Sequence, residues 1–148
     1  MKIYLDTLVI SALFDEKNPE RKLLTEEFFS KIGLYTTYIS ELTIAEIEKT
    51  PDPVLKNKMK EMIKDFAILE INELVEELAK EYVKYEAVPE SYFEDAYHIA
   101  VAVLNEMDYL LSWNFRHIAR RKTKDIIRMV NSLKNLKWVE IITPGELL

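Results

Sequence analysis

The chain has 148 residues, of which 49 % are hydrophobic and 31 % charged, with a net charge of −6. That length suits one domain over 1–148 with a substantial core, and the absence of cysteine excludes disulfides and thiolate metal sites. No run approaches the roughly 18 apolar residues of a membrane span, and the apolar start breaks at Asp6 rather than extending into a secretory signal. The expected location is therefore cytoplasmic, with no membrane partner.

"KIYLD" (2–6) reads as a first strand, and Val9 and Ile10 continue its apolar theme. A helix is predicted from about Pro19 to Lys31, then a short strand in "GLYTTYIS" (33–40) ending at Ser40, a good N-cap. Helices at 41–49 and about 54–65 are separated by Pro51 and Pro53. "FAILEI" (66–71) is a third strand, and Asn72 caps a helix over 73–86. "AVPES" (87–91) is a loop leading into a helix at 92–106, apolar on nearly every side between Ala96 and Leu104 except at His98, and so expected to be buried. "DYLLS" (108–112) is a fourth strand, 114–135 reads as mostly helical, and "WVEII" (138–142) is a fifth strand before a short tail. Short strands alternating with helices predict an α/β fold, a three-layer α/β/α sandwich around a parallel sheet of about five strands.

Three carboxylates sit where a core is expected. Asp6 ends an apolar strand, and Asp95 enters a buried helix. On the helix at 41–49, Glu41 and Glu48 share a face, so Glu46 points the opposite way, between Ala45 and Ile47. A charge in an apolar setting is costly unless paired, hydrogen-bonded or bound to metal. In open α/β sheets, ligands gather outside the carboxyl ends of the strands, where the strand order reverses. Three acids there repel one another unless a cation neutralises them, and Mg²⁺ or Mn²⁺ is the natural partner of such oxygens. Metal-assisted phosphodiester hydrolysis is the leading chemistry. The plainer alternative is that each acid separately caps a helix or pairs with a lysine such as Lys2 or Lys49. Ser112 and Asn114 emerge from the fourth strand as groups that could position water or phosphate, or simply form a turn with an Asn cap. Arg116 and His117 follow as candidate phosphate contacts.

Taken together, "YLDT" (4–7), "YISELTIAEI" (38–47), "EDAYHIAVA" (94–102), "DYLLSWNFRHI" (108–118) and "ITPGELL" (142–148) resemble a PIN domain, the fold of the VapC-type toxin ribonucleases, over nearly the whole chain. The resemblance implies Mg²⁺- or Mn²⁺-dependent cleavage of RNA. It also implies that Asp6, Glu46 and Asp95 hold the metal as catalytic acids, with Asn114 at the fourth position. Many members carry an Asp there, and a later frequent Asp position holds His117. An amide oxygen can still ligate Mg²⁺, but it brings no charge. Leu8 stands where an Asn is common, which removes a supporting hydrogen bond. The resemblance further implies a homodimer and a small antitoxin protein as partner.

Glu94 adjoins Asp95 but points about 100° away on a helix, so Asp95 is taken as the ligand. Two histidines are too few for a zinc site, and His98 is expected to be buried and hydrogen-bonded. Tyr92 and Phe93 could stack on bases, although core packing is the simpler reading. From Trp113 to Trp138 eight basic residues face only Asp125, a net of +7 against −13 for the rest of the chain. This segment, with Arg116, His117 and Arg120, is either an RNA-binding surface or a solvated helix face. Nineteen Glu and fifteen Lys without a single Gln form a pattern of thermophilic proteins.

Two alternatives compete with a metal-dependent ribonuclease. One is a catalytically weakened PIN-like RNA-binding protein, favoured by Asn114. The other is a phosphotransfer domain with Asp6 as nucleophile. Its phosphatase form needs an Asp where Leu8 stands, and its receiver form needs adjacent acids after strand one and a lysine after strand five, neither of which is present.

Overall fold

In the computed structural model, which describes residues 1–148, five strands lie in one wholly parallel sheet of order β3-β2-β1-β4-β5. The strands are β1 (Lys2–Leu5), β2 (Thr36–Ser40), β3 (Ala67–Leu69), β4 (Tyr109–Leu111) and β5 (Glu140–Ile142). The helices are α1 (Thr7–Ala12), α2 (Pro19–Ser30), α3 (Glu41–Glu48), α4 (Pro53–Ile63), α5 (Glu73–Lys84), α6 (Phe93–Leu104) and α7 (Arg121–Leu133).

Strand alternation sorts the core into two halves. Ile3, Leu5, Ile39, Leu111 and Ile142 face one way and pack with Val9, Phe28, Ile47 and Met59 from α1 to α4. Tyr4, Leu110 and Ile141 face the other way and pack with Leu78, Tyr82, Ile99, Val103 and Ile127 from α5 to α7. The sandwich is therefore the expected three-layer α/β/α one, and α6 is buried along most of its length as its composition predicts.

Several boundaries differ from expectation. Residues 7–12, for which no element is predicted from the sequence, form α1, because Asp6 caps them and accepts a hydrogen bond from the Val9 N–H. Residues 32–34 form a single 3₁₀ turn, so β2 starts at Thr36. Strand β3 is shorter than 66–71 and half-exposed, as suits the edge position. The stretch 114–120 is a turn-rich loop wound around Asn114, whose carbonyl accepts from the Ile118 and Ala119 N–H groups, so α7 begins only at Arg121. The tail closes in a 3₁₀ turn over 144–147 that packs on α2.

Helices α5, α6 and α7 all end on a left-handed residue that is not glycine: Glu86, Glu106 and Asn135. In each, the next residue donates back to the last helical turn, as in Ala87 N–H to the Tyr82 carbonyl at 2.9 Å. The first of these turns matters for the site. It drops the chain into residues 87–92, and the Ala87 carbonyl is held there by the Thr123 hydroxyl at 2.7 Å and the Arg120 guanidinium at 3.2 Å.

Candidate active site

Strand order reverses between β1 and β4, whose carboxyl ends deliver Asp6 and Ser112 side by side. Asp6 is 2 % exposed. One oxygen accepts from the Val9 N–H at 3.1 Å, and the other accepts from the Ser112 hydroxyl. Burial pushes the Asp6 carboxyl up to about 6; His98 and the two hydrogen bonds oppose this, and the charge of Asp95 adds to it. Ser112 is itself fully buried, and its oxygen also accepts from the Asn114 N–H at 2.9 Å.

Glu46 projects from α3 toward the same point. Its Oε1 accepts from the Thr7 hydroxyl at 2.7 Å and lies 2.7 Å from Nε2 of His98. His98 is buried on α6, and its Nδ1 lies 2.6 Å from the hydroxyl of Tyr4, which in turn lies 2.8 Å from that of Ser40. A buried polar chain thus runs from β2 through β1 and α6 to α3. Burial works against a charge on His98, but the Tyr4 oxygen and the Glu46 and Asp6 carboxylates outweigh it and raise His98 to about 10. Burial likewise works against the Glu46 charge, yet the hydrogen bond and charge of His98, with Thr7, hold Glu46 below the usual range. A protonated ring donates to Glu46 through Nε2 and to the Tyr4 oxygen through Nδ1, the form these partners favour.

Asp95, in the first turn of α6, is the third acid. Burial raises its carboxyl; His98, His117 and Asn114 counteract this. Nδ1 of His117 sits 3.0 Å from Asp95 Oδ2, and the ring of Tyr92 stacks on His117 with centroids 4.2 Å apart. Asp6, Glu46 and Asp95 face one open cleft of about 340 Å³, whose wall also includes Leu8, Tyr92, Asn114, Arg116 and His117.

The structure thus brings together most of the residues singled out from sequence. Ser112 stands behind Asp6 as its hydrogen-bond donor rather than in the open cleft. Asn114 is the turn cap of the plainer reading: its Oδ1 accepts from the Arg116 N–H at 3.2 Å and the His117 N–H at 2.9 Å. That leaves its amide oxygen doubly occupied. Arg120 is not brought to the cleft, because its guanidinium bonds the Thr123 hydroxyl and the Ala87 carbonyl. Glu94 does not line the cleft, and Leu8 does, 45 % exposed. Tyr92 and Phe93 are not core residues, at 49 % and 48 % exposure. Sequence reasoning had His98 buried and hydrogen-bonded, which it is, but missed that its partners are Glu46 and Tyr4.

A family model described as PIN domain matches residues 3–124. The chain belongs to the PIN domain family. No curated protein matches it. Nine chains of solved structures do. Among them is the crystal structure of VapBC2 from Rickettsia felis bound to a DNA fragment from their promoter, 14 % identical, covering 95 % of this chain and 97 % of that one with a TM-score of 0.59. At that identity the likeness shows the PIN fold. PIN domains are generally nucleases and typically use divalent metals.

The donor set of this PIN domain suits such a metal. Its free donors are hard carboxylate oxygens, and both histidines are already engaged with acids. As the side chains stand, no three acids or histidines converge into a ready-made cage. Asp6 and Asp95 nevertheless carry the burden that a cation relieves, since both are raised by burial and Asp95 raises Asp6 further. Glu46 keeps Oε2 without a hydrogen bond, the atom available to a cation directly or through water. One or two carboxylates with water completing the shell is the usual way Mg²⁺ is held. No helix is long and apolar enough to cross a membrane.

Proposed function

We propose that this PIN domain is a divalent-metal-dependent ribonuclease that hydrolyses RNA phosphodiester bonds, with Asp6, Glu46 and Asp95 as the metal-holding acids. The observation that carries this reading is that these three acids, drawn from three distant segments, all line one cleft at the switch point of a parallel sheet. A bound Mg²⁺ or Mn²⁺ would neutralise the acids and the scissile phosphate and would lower the pKa of water, so that it could give up a proton and attack phosphorus as hydroxide. The chain's own residues do the positioning. Ser112 and the Val9 N–H fix the Asp6 carboxylate, Thr7 and His98 fix Glu46, and His117 fixes Asp95. Arg116 is exposed at the cleft wall, free to meet a backbone phosphate.

A role as the toxin of a toxin–antitoxin pair is part of the proposal, with a small antitoxin protein as partner, a homodimer as the working form and the cytoplasm as location. The VapBC2 likeness supports it at the level of fold. The second reading, a weakened RNA-binding PIN protein, is favoured by one observation: the Asn114 oxygen is occupied by backbone and brings no fourth ligand. Cleavage of a mixed RNA pool separates the two. The expected result is cleavage with Mn²⁺ or Mg²⁺, none in EDTA, and a loss of ~10²- to 10³-fold in Asp6→Asn, the scale of removing a principal electrostatic group. Metal-independent cleavage, or equal cleavage by Asp6→Asn, would overturn the ribonuclease reading.

A further inference from the structure

Tyr4 carries a hydroxyl into the α5–α7 half of the core, where the side chain is fully buried. A phenylalanine would fill nearly the same volume with no polar atom to satisfy, and burying a hydroxyl is costly unless it is bonded. The Tyr4 hydroxyl is bonded twice, to the Ser40 hydroxyl at 2.8 Å and to Nδ1 of His98 at 2.6 Å. From His98 the bonds lead through Nε2 to Glu46 Oε1 at 2.7 Å, and so to the acid cleft. His98 and Glu46 line that cleft, whereas Tyr4 and Ser40 do not. Ser40 is also the N-cap of α3, the helix that carries Glu46. The start of α3 and the side chain of Glu46 are therefore tied to the same buried tyrosine.

A carboxylate only accepts, so the Glu46 bond to His98 requires a proton on Nε2. That leaves Nδ1 as either a bare acceptor or a second donor, and the Tyr4 hydroxyl meets both. It can donate to a bare Nδ1 while accepting from Ser40, or accept from Nδ1–H while donating to Ser40. Phenylalanine at this position meets neither form. A buried ring nitrogen would then lack a partner, and a turn of the ring to find one takes Nε2 off Glu46. Glu46 Oε1 already accepts from the Thr7 hydroxyl and the His98 ring, whereas Oε2 accepts from no group of the chain. The ring that Tyr4 holds thus decides which oxygen of Glu46 stays free.

We propose that Tyr4 is a positioning residue of the acid cleft: backed by Ser40, its hydroxyl holds the His98 ring so that Glu46 keeps Oε1 on the protein and turns Oε2 alone to the cation. The proposal rests on the metal-holding reading of Glu46. It deepens that reading by making Glu46 a ligand through one oxygen, set by a residue that never meets the cation. Hydrogen-bond partners behind a metal ligand orient it in this way.

The test is a Mn²⁺ titration of the full chain, followed by the electron paramagnetic resonance of the free ion, in four variants beside the wild type. Tyr4→Phe is expected to weaken Mn²⁺ binding by ~10-fold, the scale of losing a partner behind a metal ligand. Tyr82→Phe is the control. It removes a buried tyrosine hydroxyl bond from the same half of the core, the one to Asn131, but that bond leads to no residue of the cleft. Its Mn²⁺ affinity should stay within ~2-fold of the wild type, as for an independent site. Glu46→Gln supplies the decisive background. Because Tyr4 acts only through Glu46, adding Tyr4→Phe to Glu46→Gln should change Mn²⁺ affinity by less than ~2-fold. A purely structural role of the hydroxyl would not produce that dependence. The proposal is overturned if Tyr4→Phe binds Mn²⁺ like the wild type, or if Tyr82→Phe weakens binding as much as Tyr4→Phe. It is also overturned if Tyr4→Phe weakens the Glu46→Gln variant as strongly as it weakens the wild type. In each of these cases Mn²⁺ binding by the wild type leaves the metal reading standing. A wild type that binds no Mn²⁺ overturns the metal reading itself, and the role of Tyr4 with it.

Discussion

In EDTA at pH 7.5, Asp6→Asn is expected to be more stable than the wild type by about 3 kcal/mol, because the folded carboxyl sits about two pKa units above its ordinary value at 1.36 kcal/mol per unit. For a chain of this size that is a rise in Tm on the order of 5–10 °C, measurable by calorimetry. The group is an acid raised on folding. Its penalty is therefore complete above about pH 6, where both folded and unfolded forms are ionised, and it vanishes below 3.8, where both are protonated. The variant's advantage should accordingly shrink as pH falls from 6 toward 4. The asparagine keeps an oxygen for the Val9 N–H and can donate to Ser112, so the comparison isolates the charge. A less stable Asp6→Asn at pH 7.5 would mean that the site does not strain the metal-free fold. Under the proposed metal-holding role, activity and stability are opposed at this residue: the charge that would equip the cleft for a cation is the one the apolar end of β1 resists.

His98→Ala should cost about 3–5 kcal/mol at neutral pH, the scale of breaking a buried ion pair by removing one partner. The change strands the Tyr4 hydroxyl, leaves Glu46 with Thr7 alone, and opens a cavity within α6. The pH dependence runs opposite to that of Asp6. His98 is raised on folding, so its electrostatic contribution is complete below about 6.5 and is lost as pH climbs through about 10. Urea unfolding at pH 7 and at pH 10.5 should show the gap between wild type and variant narrowing at the higher pH. His98→Gln, which retains a donor for Glu46, should recover part of the loss. Equal stability of His98→Ala and wild type at pH 7 would contradict a charged, fully bonded imidazole.

Much of this was legible in the chain. Strand β1, the Asn72 cap of α5 and the burial of α6 follow from a short apolar run, cap chemistry and all-round apolarity. The acids Asp6, Glu46 and Asp95 stand out because each interrupts an apolar setting. Helix α1 was hidden because Val9 and Ile10 are core residues in either conformation, and six residues are too few for a helical period to register. The signal that was there is the Asp6 cap three residues ahead of Val9. The start of α7 was misplaced because residues 114–120 are mostly helix-compatible, and it is the local bonding of the Asn114 side chain and carbonyl that winds them into turns. The link from Ser40 through Tyr4 and His98 to Glu46 joins four elements, and no spacing in one segment encodes it. Tyr92 and Phe93 were misread as core because an aromatic side chain looks the same in sequence whether it faces a core or solvent.

The central claim is that Asp6, Glu46 and Asp95 share a divalent cation, and a Mn²⁺ titration followed by the electron paramagnetic resonance of the free ion tests it most directly. The wild type is expected to bind Mn²⁺, with affinity falling by at least ~10-fold in Asp95→Asn as one anionic ligand is lost. Unchanged Mn²⁺ affinity in Asp95→Asn would contradict the account.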